Sequence, residues 1–462
     1  MFRLFELFRG AGQELYLVGG AVRDHLRGVA LEDLPDLDFA TNAPPGESAR
    51  ILREGGLPVF TVGSRFGTVG TILGGGGRRR EVQVTTFRGE VYVNGSRKPR
   101  VTFGKDLQTD LARRDFSINA MAMTADRRLV DPYGGRLDLE RGILRTVGDP
   151  RTIFREDPLR TLRAARFIST LGVRPEPEVV EVVRELAAEI LSVSRERWLL
   201  EMNRLLAGSG VEAALGFLAD TGLLAYLLPE AQAMVEFQAS QGRYHHKALW
   251  PHTVAVVGQA PPRVAVRWAA LLHDAGKVTT RSVDDAGEVH FLGHETAGAV
   301  LVDDVARRFR FDRALWHRVR TLVLMHQRPA LYDGAWTDAA VRRLIRDAGE
   351  VLADLLDLSR ADVTSHRPGV REAVLARLAE LQARAAELIR IEGEGPLLPK
   401  GLGREIMARL GIEAGPAVGR VKDRLEQAVL DGHLPRNGPI EAYREFLNRL
   451  AGEAPNPPAR EV

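Results

Sequence analysis

The sequence predicts an α+β protein. A head of mixed strands and helices fills roughly the first 145 residues, and an all-helical remainder follows. Two kinds of periodicity predict this. In the head, "ELYLVGGAV", "DLDFAT", "FGTVGTILG" and "EVQVTTF" combine alternating or continuous apolar residues with β-branched enrichment and glycine turns, which reads as strands. Beyond about residue 146, "REDPLRTLRAARFISTL", "PEVVEVVRELAAEIL", "SRERWLLEMNRLLAG" and "VEAALGFLADTGLL" carry apolar residues at three-four spacing. Ser, Asp or Pro stands near their starts and Gly near their ends, as helices require. Neither an internal repeat nor a coiled-coil heptad interrupts the pattern.

Taken in order, "ELYLVGGAV" reads as a strand that enters a tight turn and then a helix. "DLDFAT" is the next strand. "GGGGRRR" reads as a hairpin turn, and "DLARRDFSINAMAM" as a helix. Strands are expected to stop after about residue 146, and the tail "GEAPNPPAREV" is expected to be disordered.

Bulk composition sets the function classes. A chain of 462 residues has room for two to four domains and a sizeable core. It is 45% hydrophobic and 27% charged, as soluble globular proteins are. Cysteine is absent, which excludes disulfide scaffolds, thiol nucleophiles and zinc fingers and fits a reducing compartment. "MFRLFELFRGAG" lacks a long apolar run and a small-residue cleavage site, so no signal peptide is read. No apolar segment is long enough to span a bilayer, and a cytoplasmic protein is expected. Net charge is only +3, which does not by itself point to nucleic acid. Arginine far outnumbers lysine, through GC-rich coding or through phosphate recognition. Clusters such as Arg78-Arg79-Arg80 and Arg97-Lys98 with Arg100 are ordinarily solvated loops.

The stretch "PDLDFAT" raises the question of function. On a strand, Asp36 and Asp38 project from the same face. Two like charges held together are costly unless a cation lies between them. Mg²⁺ suits such a pair, because it takes few carboxylates and completes its shell with waters and substrate phosphates. Alone, D-x-D is common on exposed strands. Here "LVGGAVRD" precedes it, with Gly19 and Gly20 at a strand-to-helix turn and Arg23 one helical turn on. Glycines at such a turn let backbone N–H groups approach phosphate oxygens, and the helix N-terminus adds positive potential.

In order, "LVGGAVRD", "DLDFAT", "RRDFSINAMA", "DPYGG" and "REDPLRTLRAARF" resemble the class II tRNA nucleotidyltransferase (CCA-adding enzyme) and bacterial poly(A) polymerase family. The likeness runs from about residue 15 to about 170 and continues more loosely to about 450. It implies a polymerase-β-like nucleotidyltransferase head that extends RNA 3′ ends without a nucleic-acid template. The resemblance divides the chain into a catalytic head (1–145), a helical neck (146–225), a helical body with an HD module (226–390) and a tRNA-binding tail (391–462). By the same likeness Asp36 and Asp38 are catalytic and bind Mg²⁺, Gly20 and Arg23 form the nucleotide-binding turn, and Arg114 contacts the triphosphate. Asp115 and Asn119 sit beside Arg114, with Asp115 holding the ribose or buttressing an arginine. Glu81 on "EVQV" is a candidate third carboxylate.

"EDPLRTLRAARF" spaces Asp157, Arg160, Arg163 and Arg166 by three residues, so on a helix they share a face. An ion-pair face would show the same pattern. The family likeness implies that Asp157 and Arg160 act as an amino-acid template for the incoming base. Cytosine and adenine each present an amine donor beside a ring-nitrogen acceptor, which an Asp and an Arg complement. Guanine and uracil present the reverse order and leave both groups unpaired, a mismatch that discriminates strongly. Arg163 and Arg166 would support phosphates or the pocket. A hinge between head and neck could reshape this pocket between C and A addition. The segment "GEVYVNGSRKPRVTFGKDLQTDLA" resembles the flexible loop that A-adding members retain and CC-adding members shorten, which favours CCA or A addition.

A second constellation lies in the helical region. His252, the pair His273-Asp274 with Lys277 in "LLHDAGK", and the distant Asp362 look like an HD-type metal-dependent phosphohydrolase site. His294 and His326 join or flank it. Neutral imidazoles and carboxylates hold a divalent metal, whose bound water becomes a better nucleophile. A lone His on an apolar helix is ordinarily a packed core residue; the outlying His and Asp lift this set above that. Finally, "LLPKGLGREIMARLGIEAGPAVGRVKDRLEQAVLDGHLPR" resembles the family's elbow-binding tail, with Arg404, Arg409, Arg420, Lys422 and Arg424 available to RNA phosphates. The expected partners are therefore tRNA, CTP and ATP. Poly(A) polymerase, CC-only addition and a mainly HD-type hydrolase are the rival readings.

Overall fold

Alternating and β-branched runs in the first 130 residues pair into one seven-stranded mixed sheet. The computed structural model describes residues 2–61, 67–75, 78–91, 100–103, 106–239, 248–364, 369–393 and 395–453. The strands are β1 (Leu15–Val18), β2 (Asp36–Thr41), β3 (Val59–Thr61), β4 (Thr68–Gly75), β5 (Arg78–Thr86), β6 (Arg88–Val91), β7 (Arg100–Phe103), β8 (Ala122–Met123) and β9 (Leu129–Val130). Sheet order is β3-β4-β5-β2-β1-β8-β9, with β6 and β7 forming a separate two-stranded ribbon. Within the large sheet only β2 and β5 run parallel.

Period-two patterning sets which side chains enter the core. Leu17, Phe39, Val82 and Val84 bury on one face, under helices Phe2–Gly10 and Pro45–Glu54, with Leu4, Phe8, Ile51 and Leu52. Phe5 meets Phe39 edge-on, with ring centroids 5.5 Å apart. Burying one such aromatic contributes roughly 1.5–3 kcal/mol. The adjacent residues Val18 and Ala40 join a smaller cluster with Phe87, Leu111 and Ala122. Strand β2 therefore reads exposed-buried from Asp36 to Phe39, with both aspartates facing away from Leu37 and Phe39.

The expected strand, tight turn and helix all form, as β1, Gly19 and helix Gly20–Leu26. Gly19 caps that helix with φ 70° and ψ −133°, a conformation that only glycine adopts without strain. A Cβ there would also lie 2.6 Å from Nη1 of Arg114.

Three expectations need correction. "DLARRDFSINAMAM" is not one helix. Helix Leu107–Ala112 ends, a 3-10 turn spans Ser117–Asn119, and Ala122–Met123 is strand β8. Strands also do not stop at residue 146. Ile143–Leu144 pairs in parallel with Arg174–Pro175, and Ser282–Val283 pairs with Val289–His290. Lastly, "EDPLRTLRAARF" is broken. Helix Pro150–Glu156 ends at Asp157, and helix Leu159–Leu171 begins after Pro158. Proline disfavours helical geometry at the residue before it, and Asp157 is accordingly extended at φ −143° and ψ 98°.

The chain divides into two compact units, 1–324 and 325–462. In the first, helix Leu159–Leu171 packs on helix Arg195–Leu206. Gly208 lets the chain pass close to Ser169, whose Oγ donates to the Leu205 carbonyl at 2.6 Å. Farther on, Trp268, Phe309 and Phe311 stack edge-to-face, with Trp198 against Phe309. The second unit contains helices Asp338–Ala348, Leu352–Ala361 and Val370–Gly393, and a C-terminal trio. That trio, Leu402–Leu410, Pro416–Leu430 and Ile440–Glu453, closes over Ile406, Leu425, Tyr443 and Leu447. No helix among the described residues is long and apolar enough to cross a membrane. The hairpin tip (76–77), Arg97-Lys98 and much of the expected flexible loop (92–99 and 104–105), and the tail beyond residue 453 lie outside the described residues.

Candidate active site

Strand β2 delivers Asp36 and Asp38 to a cavity of about 1030 Å³ in the first unit. The nine residues expected at the head and neck site line it together: Gly20, Arg23, Asp36, Asp38, Arg114, Asp157, Arg160, Arg163 and Arg166. Solvent reaches Asp38, yet protein surrounds it on most sides. Burial and the neighbouring Asp36 push its carboxyl above the usual carboxylate range, and Arg114 only partly offsets them. Such a pair is a donor set of hard oxygens that favours a divalent cation.

The parallel register decides what faces the pair. Asp36 lies beside Glu81, and Asp38 beside Gln83. Glu81 is exposed and does not line the cavity, whereas Gln83 and Thr85 do. A neutral amide, which sequence reasoning passed over, therefore stands where a third carboxylate was sought.

The Gly19-Gly20 turn is ringed by arginines already held in place. Arg23 donates from Nε and Nη2 to the two oxygens of Asp24, each at 2.9 Å, and from Nη1 to Oδ1 of Asn119 at 2.7 Å. Arg114 donates to the Asn119 carbonyl and to Asp110, both at 3.3 Å. Asp110 is 1% exposed. Burial would raise its carboxyl, but Arg113 and Arg114 outweigh burial and hold it below the usual range. Asp115 is equally enclosed. It accepts from Asn119 at 3.1 Å and from the Phe116 backbone at 2.9 Å, and it pairs with Arg163 at 2.6 Å. Asp115 thus buttresses an arginine.

Across the cavity, the helix break presents Asp157. Arg197 grips it with two bonds of 2.6 and 3.2 Å, and the Leu159 N–H donates to it at 3.2 Å. Arg160 donates to the Ile153 carbonyl at 3.0 Å, to Glu156 at 2.9 Å and to the Arg113 carbonyl at 2.8 Å. Those bonds engage three of the five guanidinium donors and leave the rest for a ligand. Arg166 pairs with Glu201 at 2.7 Å and stacks on Phe167 at 3.9 Å. Burial, reinforced by Arg163 and Arg204 and opposed by Glu201, pushes it down to about 10. Sequence reasoning missed Asp110, Glu156, Arg197 and Glu201. The last two lie at i and i+4 of "SRERWLLEMNRLL", a spacing that marks one helical face.

A second cluster forms farther along the first unit. His252 lies on helix Leu249–Gln259, His273 caps helix Val264–Leu272, and His294 opens helix His294–Phe309. Their Nε2 atoms converge on the Asp274 carboxylate at 3.5, 3.3 and 3.6 Å. Nδ1 of His273 lies 2.8 Å from the Ala270 carbonyl, and Nδ1 of His294 lies 2.8 Å from the Phe291 carbonyl. A carbonyl accepts only, so both rings carry a proton on Nδ1, and the Nε2 of each, directed at the carboxylate, is left for a second proton or a metal. A positive charge belongs between these nitrogens and the carboxylate, and backbone carbonyls commonly orient metal-binding imidazoles in this way. Gly276 is needed here, because a Cβ would lie 2.1 Å from the His294 carbonyl. Lys277 donates to Asp274 at 2.7 Å. Burial would raise the Asp274 carboxyl, but His273 and Lys277 prevail and hold it far below the usual range. Asp362 and His326 belong to the second unit, Asp362 at the end of helix Leu352–Ala361.

Residues 15–145 match the family described as "Poly A polymerase head domain", 172–234 match "Probable RNA and SrmB- binding site of polymerase A", and 253–366 match "HD domain". The chain is 36% identical over 455 residues to an A-adding tRNA nucleotidyltransferase of Deinococcus radiodurans, covering 95% of this chain and 96% of that one. It is 32% identical over 425 residues to a CCA-adding enzyme of Geobacillus stearothermophilus, covering 92% and 90%. A crystal structure of the Bacillus stearothermophilus CCA-adding enzyme in complex with CTP superposes with a TM-score of 0.62 at 28% identity, covering 98% of each chain. With its head, RNA-binding and HD regions matched in order and full-length relatives on both sides, the chain belongs to the tRNA nucleotidyltransferase family.

Proposed function

We propose that the chain adds A, or C and A, to the 3′ ends of tRNA, using ATP and CTP and acting in the cytoplasm. The carrying observation is that Asp36 and Asp38 share one cavity with Asp157 and Arg160, so metal-binding and base-reading groups face a single space. The expected reaction is attack of the RNA 3′ hydroxyl on the α-phosphorus, with pyrophosphate leaving and no covalent enzyme intermediate. Asp36 and Asp38 would hold Mg²⁺, which suits this donor set. Bound there, such ions would make the hydroxyl a better nucleophile and neutralise charge on the leaving pyrophosphate.

The chain's own residues supply position and charge, which carry most of the catalysis in such transfers. Gly20, Arg23 and Arg114 present the turn and its cations to the triphosphate. Asp157 accepts from the exocyclic amine of cytosine or adenine, and Arg160 donates to the ring nitrogen. Arg163 and Arg166 brace this wall through Asp115 and Glu201. The basic tail residues Arg404, Arg409, Arg420, Lys422 and Arg424 would meet tRNA phosphates distant from the acceptor end.

Primer extension tests the proposal. Transcripts ending at the discriminator base, at C and at CC are each offered CTP or ATP. Addition of a single A to the CC end supports it; long A tails on unrelated RNA would favour a poly(A) polymerase instead. Stepwise C, C and A addition from the discriminator base distinguishes CCA addition from A addition alone.

A second reading rests on the histidine cluster. With their Nε2 atoms turned on Asp274, His252, His273 and His294 would bind a divalent metal together with it and hydrolyse phosphate esters. Release of phosphate or nitrophenol from simple phosphoesters, dependent on added metal and lost in Asp274→Asn, tests it.

A further inference from the structure

A groove of about 470 Å³ adjoins the active cavity and shares Arg23, Pro35 and Arg166 with it. Two more arginines stand here: Arg27, at the end of helix Gly20–Leu26, lines this groove and not the cavity, and Arg204, on helix Arg195–Leu206, lines both. Both are exposed. Elsewhere in the cavity wall the cations are matched. Asp24 holds Arg23, Glu201 holds Arg166, Asp115 holds Arg163, and Asp110 holds Arg113 and Arg114. Among the described residues, no side-chain hydrogen bond or ion pair joins Arg27 or Arg204 to an acid. The groove therefore carries two surplus positive charges beside a third, Arg166, that burial and like charges already disfavour.

Position and lining indicate the occupant. Leu34 and Pro35 form part of the groove and run directly into Asp36, so it opens onto the catalytic carboxylates. Val29, Leu34 and Leu171 add apolar surface between the arginines. Apolar patches between cations suit a strand that alternates phosphates with sugars and bases. Free pyrophosphate would need the cations alone, and the Gly19-Gly20 turn already has Arg23 and Arg114 for the triphosphate.

We infer that this groove holds the single-stranded phosphodiester segment immediately 5′ of the growing RNA end, with Arg27 and Arg204 contacting its phosphates. The inference rests on the proposed RNA extension activity.

The test uses the full chain, its Arg27→Ala and Arg204→Ala variants and the double variant, with a fluorescent tRNA transcript ending in CC. Binding is followed by anisotropy from 50 to 300 mM salt, and extension with ATP gives both KM values. Each lost phosphate contact should reduce the slope of log K against log salt by about 0.7. The double variant should therefore lose about 1.4 from the slope, with KM for RNA raised roughly tenfold and KM for ATP unmoved. The Lys variants at both positions should restore most of the slope, because a phosphate contact of this kind is chiefly charge. An unchanged slope and KM for RNA would overturn the inference. So would a rise confined to KM for ATP, or to KM for pyrophosphate in the reverse reaction, which would assign the groove to the nucleotide's phosphates. A wild-type chain that extends no RNA would instead overturn the functional reading.

Discussion

Arg197 holds both carboxylate oxygens of Asp157, Nη2 to Oδ2 at 2.6 Å and Nη1 to Oδ1 at 3.2 Å, from a helix forty residues farther along the chain. Asp157 stands at a helix break, so neither flanking helix fixes its direction. The two-pronged grip does, and it holds the carboxylate at the cavity wall, where it can accept from an amine. Each such charge-assisted bond contributes about 1.5–3 kcal/mol. Arg197→Ala should therefore lower kcat/KM for nucleotide addition by about 10- to 100-fold and narrow the preference for ATP and CTP over GTP and UTP. Single-nucleotide incorporation with all four triphosphates measures both effects. Unchanged selectivity would remove Asp157 from base reading.

Gly19 couples the backbone to the phosphate site. Its positive φ and its closeness to Arg114 each exclude a side chain. Gly19→Ala should cost about 1–3 kcal/mol of stability through backbone strain alone. It should also raise KM for ATP, because Arg114 must move. Denaturant melts and steady-state kinetics report the two parts separately.

Asp38 should show the trade between activity and stability. Its folded carboxyl lies above the usual range through burial and Asp36. Whatever stability it contributes is therefore present below the unfolded value near 4 and is lost as pH rises through the folded value. At neutral pH, Asp38→Asn should raise the Tm of the metal-free protein while lowering nucleotide addition by at least about 1000-fold. Mg²⁺ should raise the Tm of the wild type and not that of the variant. A lower Tm for the variant at pH 7 would contradict the electrostatic reading.

The histidine cluster has the opposite sign. Burial disfavours the Asp274 carboxylate, but His273 and Lys277 hold its carboxyl far below the usual range. That contribution is present above the unfolded value near 4 and disappears as pH falls below it. Asp274→Asn should therefore lower Tm at pH 7, and the deficit should shrink as pH falls below about 4. Mn²⁺ or Ni²⁺ should raise Tm in the wild type through this site, and Asp274→Asn should abolish that increment. A pH-independent deficit would assign Asp274 to packing rather than charge.

Local chemistry was legible in the sequence, and tertiary pairing was not. The shared face of Asp36 and Asp38 follows from a period of two, which needs no partner strand. The turn at Gly19 and the His273-Asp274 pair are likewise contiguous in the chain. The break at Asp157 carried a local signal in Pro158, which three-residue charge spacing concealed. Choosing Gln83 over Glu81 depends on how β5 registers against β2, and no property of "EVQV" encodes that offset. Arg197 and Glu201 were invisible as partners because Asp157 and Arg166 meet them only when two helices pack. The helix "SRERWLLEMNRLL" looks like any amphipathic charged helix until those contacts exist.

The central claim is that the β2 carboxylates drive templateless extension of a transfer RNA. The most direct measurement is incorporation of labelled AMP into a transcript ending in CC, by the wild type and by Asp36→Asn and Asp38→Asn proteins with matched circular dichroism spectra. One A per transcript from the wild type, with label from either variant at background, is the result expected. Equal incorporation by either amide variant would contradict the account.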